Sequence, residues 1–140
     1  MEIIVPDASI ILKWALGEEK ETERDKALSI LYDFIEGRCE IVLPSLWVYE
    51  VGNILGMKHP ESSKEIMDIL LDYEFKEYRM SKDVCRLIFE LIRDLRVTFY
   101  DASYHALAIK QKGIFITSDK KYYDKVRDKS HIQLLELYRF

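Results

Sequence analysis

A chain of 140 residues, 49% hydrophobic and 33% charged, is long enough to bury one real core and too apolar for a disordered segment. No apolar run approaches the roughly 18 residues that span a bilayer, and the N-terminus lacks a signal pattern, so a cytoplasmic protein with no membrane partner is expected. The net charge of −4 is unevenly spread: seven Lys and Arg stand against three Asp between residues 110 and 129, a local +4 that leaves −8 on the rest.

In chain order, "EIIVP" reads as a first strand whose continuous apolar character suits a strand covered on both faces. A short helix over residues 9–16 follows and is expected to stop near Gly17. Residues 20–36 carry Ala27, Leu28, Leu31, Phe34 and Ile35 at helical spacing, and Gly37 supplies a stop. "EIVLP" at 40–44 is a second strand, and Ser45 is expected to cap the helix that runs to residue 57. "HPESS" is a break before a helix over 62–73, and "FKEYR" reads as a brief strand. Ser81 caps a helix to Leu95 with Val84, Leu87, Ile88, Leu91 and Ile92 on one stripe. A helix from Asp101 to Lys112 should end at Gly113. "IFIT" at 114–117 is a buried strand, residues 120–128 form a short helix, and "IQLLEL" at 132–137 is expected to close as a strand.

Alternating strands and helices with short joins predict a single 1–140 domain, an α/β/α sandwich around a mostly parallel sheet. Sites in such sheets form beyond the carboxyl ends of the strands, which says where to look. Cys39 and Cys85 are isolated and read as reduced thiols. His59, His105 and His131 sit at unrelated spacings and suggest no histidine metal site. One Asn and two Gln among many Glu, Lys, Ile and Leu is the pattern expected of heat-adapted proteins.

Four acids are expected to meet at that edge if the strands are parallel. Asp7 follows the first strand, Asp119 follows "IFIT" after one Ser, and Asp101 opens the helix "DASYHALAIK". Each of the three has an ordinary reading as a helix cap or as a charge at the positive end of a helix. Glu50 discriminates, because it falls three residues after Trp47 and four before Ile54, at the apolar face of its helix. A carboxylate there is costly unless it is paired, protonated or bound to metal. Clustered carboxylates without His or Cys favour a hard divalent cation, Mg²⁺ or Mn²⁺, as one ion or two, over zinc. Such ions polarise a phosphodiester and acidify a water. The basic stretch with Lys110, Lys112, Lys120 and Lys121 would meet phosphates in a salt-dependent way, or else it is a solvated helix face.

At "IIVPDASIILKW", "LPSLWVYEVGNIL" and "TFYDASYHALAIKQKGIFITSDKKYY", in that order, the sequence resembles the PIN-domain proteins, and within them the VapC-type toxin ribonucleases of toxin–antitoxin pairs. The resemblance spans the chain. It implies that Asp7, Glu50, Asp101 and Asp119 bind Mg²⁺ or Mn²⁺ in an endoribonuclease. It also implies supporting roles for the hydroxyls of Ser9 and Thr117 and for Asn53. Asp124 is an additional acid near the set, read first as an exposed helix residue. An antitoxin partner would cover the acidic site with an Arg or Lys. A homodimer is expected, built like antitoxin docking from outward apolar residues of the early helices. PIN folds outside toxin pairs, in RNA processing and decay, remain the alternative. A non-catalytic RNA- or protein-binding scaffold is the rival from another class, and the presence of all four acids counts against it. A haloacid dehalogenase needs a second Asp where Ser9 stands, and a receiver domain needs an acidic pair where Asp7 is alone.

Overall fold

The computed structural model describes residues 1–16 and 22–139. In chain order the elements are β1 (Glu2–Pro6), α1 (Ala8–Leu16), α2 (Thr22–Ile35), β2 (Cys39–Pro44), α3 (Trp47–Lys58), α4 (Ser63–Asp72), β3 (Lys76–Tyr78), α5 (Lys82–Leu95), α6 (Phe99–Gln111), β4 (Ile114–Thr117), α7 (Lys120–Val126) and β5 (Ile132–Leu134). The expected stop at Gly17 and the expected helix start at residue 20 lie outside the described residues.

All strand pairings are parallel and the order across the sheet is β3-β2-β1-β4-β5. The chain therefore moves one way from β1 to β3, then returns to add β4 and β5 on the other side. Right-handed crossovers send the first set of helices to one face and the later set to the opposite face. The packing agrees: α1 meets α2 and α3, with α2 against β2, while α6 lies on β1, β2 and β4 and is covered in turn by α5. The result is the three-layer α/β/α arrangement expected. The strand order reverses between β1 and β4, and a crevice opens there at the carboxyl ends.

The main core gathers Ile4, Val5, Ile41, Leu43, Phe115 and Ile116 of the sheet with Ile10, Ile11, Trp47, Val51, Leu55 and Tyr104 of the helices. At about 1.5–3 kcal/mol per fully buried large apolar side chain, this cluster dominates the drive to fold. A second cluster of Val84, Ile88 and Leu91 with Ala102 and Ala106 glues α5 to α6. Residues 102–108 are all buried, because α6 is covered by the sheet on one side and α5 on the other.

Several local expectations are corrected. Ser45 does not cap α3; the N-cap is Leu46, with no side-chain bond, and the Ser45 N–H instead donates to the Tyr78 carbonyl. Helix α6 starts at Phe99, two residues before Asp101, because Thr98 is the better cap and accepts the Asp101 N–H. Its left-handed terminal residue is Lys112 (φ 57°), not Gly113. Gly113 is required for a different reason, since a Cβ there would lie 2.6 Å from the Ile3 carbonyl oxygen. Gly37 does take the left-handed role (φ 76°), with Gly37 N–H to Phe34 O and Arg38 N–H to Asp33 O closing α2. Helix α7 ends at Val126, and the closing strand runs only to Leu134 before a single 3₁₀ turn, Leu135–Leu137. Ser81 caps α5 as expected, accepting the Val84 N–H. Cys39 and Cys85 are free thiols, and burial raises the Cys39 pKa to about 11.

Candidate active site

Asp7 leaves β1 at the reversal point. Its N–H donates to Ile116 O of β4 at 3.2 Å. Its carboxylate takes three donors: the Ser9 hydroxyl at 2.5 Å and the Ile10 N–H at 3.1 Å on Oδ1, and the Thr117 hydroxyl at 2.5 Å on Oδ2. The Ile10 bond is a helix cap, so Asp7 both starts α1 and presents a carboxylate to the crevice. The residue is 7% exposed. Burial pushes its carboxyl above the ordinary value, the three donors pull it down, and the Asp101 charge pushes it up again.

Thr117 bridges two acids, since its hydroxyl donates to Asp7 and accepts the Asp119 N–H at 3.0 Å. Asp119 is exposed and caps α7, with Oδ1 accepting the Tyr122 N–H at 3.0 Å. Asp101 is half-buried in the first turn of α6. Burial raises its pKa, Thr98 lowers it and the Asp119 charge raises it. Glu50, half-buried on α3, accepts the Tyr104 hydroxyl on Oε1 at 2.7 Å. Burial raises its pKa, the Tyr104 bond lowers it, and the Asp101 and Asp7 charges raise it.

These four acids, brought from the β1–α1 join, α3, α6 and the β4–α7 join, line one cleft of about 270 Å³ with Ala8, Ser9, Leu12, Ile54 and Ser118. Among the described residues no ion pair reaches any of them. Three carboxyls with raised pKa values, penalised by neighbouring charge as well as by burial, form a negative charge excess that no ion pair among the described residues balances. That excess and the oxygen-only donors fit a hard divalent cation. Among the described residues, however, no group of three or more Asp, Glu, His or Cys side chains stands close enough as placed to hold an ion. The fit is one of charge and donor type rather than of a finished coordination shell.

The other residues singled out in the sequence fall in several places. Ser9 and Thr117 contact Asp7, and Ser9 Oγ also lies 3.3 Å from Ser118 Oγ. Asn53 is exposed and is not among the cleft residues; Ile54 lines it instead. Asp124 is exposed on α7 and likewise stays out of the cleft. Lys120 and Lys121 follow Asp119 directly on the first turn of α7, with Lys120 3.8 Å from Glu136. Lys110 and Lys112 lie at the far end of α6 from Asp101, about 14 Å or more along the axis, and Lys110 pairs with Asp83 at 3.5 Å.

Two buried polar rings of α6 have roles that the sequence reading did not assign, one beside the cleft and one apart from it. Tyr104 looks like one more core aromatic, yet its hydroxyl reaches Glu50. Burial, with the Glu50 charge and hydrogen bond, pushes that hydroxyl far above its ordinary pKa and keeps it a donor. His105 is fully buried, with Nδ1 2.9 Å from the Tyr122 hydroxyl and Nε2 2.9 Å from the Ser130 carbonyl. A carbonyl can only accept, so Nε2 carries the hydrogen and Nδ1 accepts from Tyr122. The only signal for either was a polar ring beside the small and apolar run Ala106–Leu107–Ala108.

The model of the PIN domain matches residues 4–129, and the chain belongs to that family. Among curated proteins none matches its sequence. Its fold is shared with several solved structures. VapBC2 from Rickettsia felis, bound to a promoter DNA fragment, superposes with TM-score 0.70 at 15% identity, covering 94% of this chain and 98% of that one. PAE2754 from Pyrobaculum aerophilum gives 0.68 at 22% identity, over 97% and 85%. VapC20 from Mycobacterium tuberculosis, a toxin that cleaves the sarcin–ricin loop, gives 0.60 at 16% identity, over 79% and 84%. Among the described residues no helix is long and apolar enough to cross a membrane.

Proposed function

We propose that the protein is a Mg²⁺- or Mn²⁺-dependent endoribonuclease, the toxin of a type II toxin–antitoxin pair. One observation carries the reading: four acids from four separate elements line one cleft at the switch point, and no described cation pairs with them. A fold selected for stability alone would not leave that repulsion unrelieved. Asp7, locked by three donors, is the fixed acid. Glu50, Asp101 and Asp119 are the remaining ligands, directly or through water. A bound divalent cation would supply Lewis acidity toward a phosphodiester oxygen and acidify a water for attack. The chain's own part is to orient that chemistry: Thr117 ties Asp7 to the Asp119 backbone, and Leu12 and Ile54 line the cleft with apolar surface.

Toxin status rests on the company the fold keeps. Several structures sharing it are toxin–antitoxin proteins, among them VapBC2 and a toxin–antitoxin complex from Klebsiella pneumoniae. An antitoxin with an Arg or Lys directed at the cleft would neutralise the charge excess. The exposed apolar side chains of Tyr49, Met57 and Ile69 on α3 and α4 offer surface for that partner or for a homodimer. The test is cleavage of single-stranded RNA with Mn²⁺ or Mg²⁺. The parent should cut, should stop cutting in EDTA, and should lose activity on Asp7→Asn or Asp101→Asn. Equal cutting by both variants would sink the site assignment.

A further inference from the structure

The four acids differ in what holds them. Asp7 is locked by three hydrogen bonds and Asp119 by its cap to Tyr122. Asp101 is a short side chain on the first turn of a capped helix. Glu50 has the longest side chain and the most rotamers to lose, and it rides on α3, whose N-cap makes no side-chain bond. Left alone it would swing toward water, away from its like-charged neighbours.

The geometry points to Tyr104 as the positioning residue for Glu50: its hydroxyl, 2.7 Å from Oε1, keeps that carboxylate on the cleft side, where a divalent cation can use it. This rests on the metal-dependent reading above. Tyr104 is suited to the task because its ring is packed on all sides. It is 1% exposed and stacks on Phe115, with centroids 6.2 Å apart and planes at 20°. Phe115 belongs to β4, hydrogen-bonded to the strand that delivers Asp7. Tyr104 also lies three residues after Asp101, one turn along the same helix. Helix α6 thus supplies one acid directly and steers a second across to it. A tyrosine needed only for packing would have no reason to aim its hydroxyl at a carboxylate in a negative cleft, since phenylalanine fills the same space.

The test is Mn²⁺ titration by calorimetry on the parent, Tyr104→Phe, Glu50→Gln and the double variant, with thermal melts in EDTA. Loss of an outer partner of a metal ligand lowers affinity by roughly 10- to 100-fold. Tyr104→Phe should therefore weaken Mn²⁺ binding about tenfold in the parent background and cause no further loss in the Glu50→Gln background. A packing role alone would change the melting temperature equally in both backgrounds and leave Mn²⁺ affinity untouched. Binding by Tyr104→Phe within twofold of the parent would overturn the assignment while sparing the metal reading. A parent that binds no Mn²⁺ would overturn both.

Discussion

Helix α6 carries two buried polar clusters that follow opposite rules. On one side His105, Tyr122 and the Ser130 carbonyl form a closed set in which every polar atom named has a partner and none needs a charge. On the other, Asp101 shares the cleft with Asp7, Glu50 and the exposed Asp119, and burial and neighbouring negative charge both oppose the charged forms of Asp7, Glu50 and Asp101. The first cluster stabilises the fold, pinning α7 and the turn before β5 to the core. The second, on the function proposed above, gives up stability for the cation it would bind. A satisfied buried network marks structure, whereas an unbalanced one marks a site.

That contrast breaks most visibly in activity. Asp101→Asn should lower metal-dependent RNA cleavage by on the order of 10²–10³, measured as kcat/KM, because a charge directed at the reacting centre is lost. His105→Phe should leave Mn²⁺ affinity within twofold and instead destabilise the fold. It strands the Tyr122 hydroxyl and the Ser130 carbonyl, at a cost of about 2–3 kcal/mol in urea unfolding. If His105→Phe abolished metal binding at full stability, the two clusters would not be separate.

A smaller effect of opposite sign follows at the cleft. In EDTA at pH 7, Asp101→Asn should be more stable than the parent by about 0.5–2 kcal/mol, as expected where stability is given up for function. The pH dependence sharpens this. A carboxyl whose folded pKa is raised contributes stability below its ordinary value and loses it as pH rises through the raised value. The advantage of Asp101→Asn should therefore be absent near pH 3.5 and grow toward pH 7. His105 behaves in reverse, because burial lowers its pKa. Its contribution is full above about pH 6.5 and falls as the medium acidifies. The pH-dependent gap between parent and His105→Phe should thus narrow on acidification, while the gap at Asp101 closes from the other side. Parallel pH profiles for the two variants would contradict the distinction.

Much of this was legible in the chain, and what was missed has physical reasons. Asp7 and Asp119 follow short apolar strands, so parallel pairing alone sends them to one edge. Glu50 stood out because it interrupts an apolar helix face, and the structure half-buries it. Tyr104 was invisible, since sequence position does not say where a buried hydroxyl points. The start of α6 was misjudged because Thr98 and Asp101 can each cap a helix, and only the built backbone chooses. Lys110 and Lys112 counted toward one basic segment, yet the helix axis carries them away from Asp101 while Lys120 and Lys121 stay next to Asp119. Asn53 lies three residues from Glu50, close to one turn, but its side chain is exposed where Ile54 lines the cleft.

The central claim is that the four acids are held in mutual repulsion for the sake of a divalent cation, and one thermal melt tests it. The parent and Asp101→Asn are compared at pH 7.5 in EDTA and with Mn²⁺ in excess. A ligand at about 100 times its Kd stabilises the native state by roughly 2.7 kcal/mol. The parent should therefore melt several degrees higher with Mn²⁺, whereas Asp101→Asn should start higher in EDTA and gain little. A parent whose melting temperature ignores Mn²⁺, or a variant that gains as much as the parent, would contradict the account.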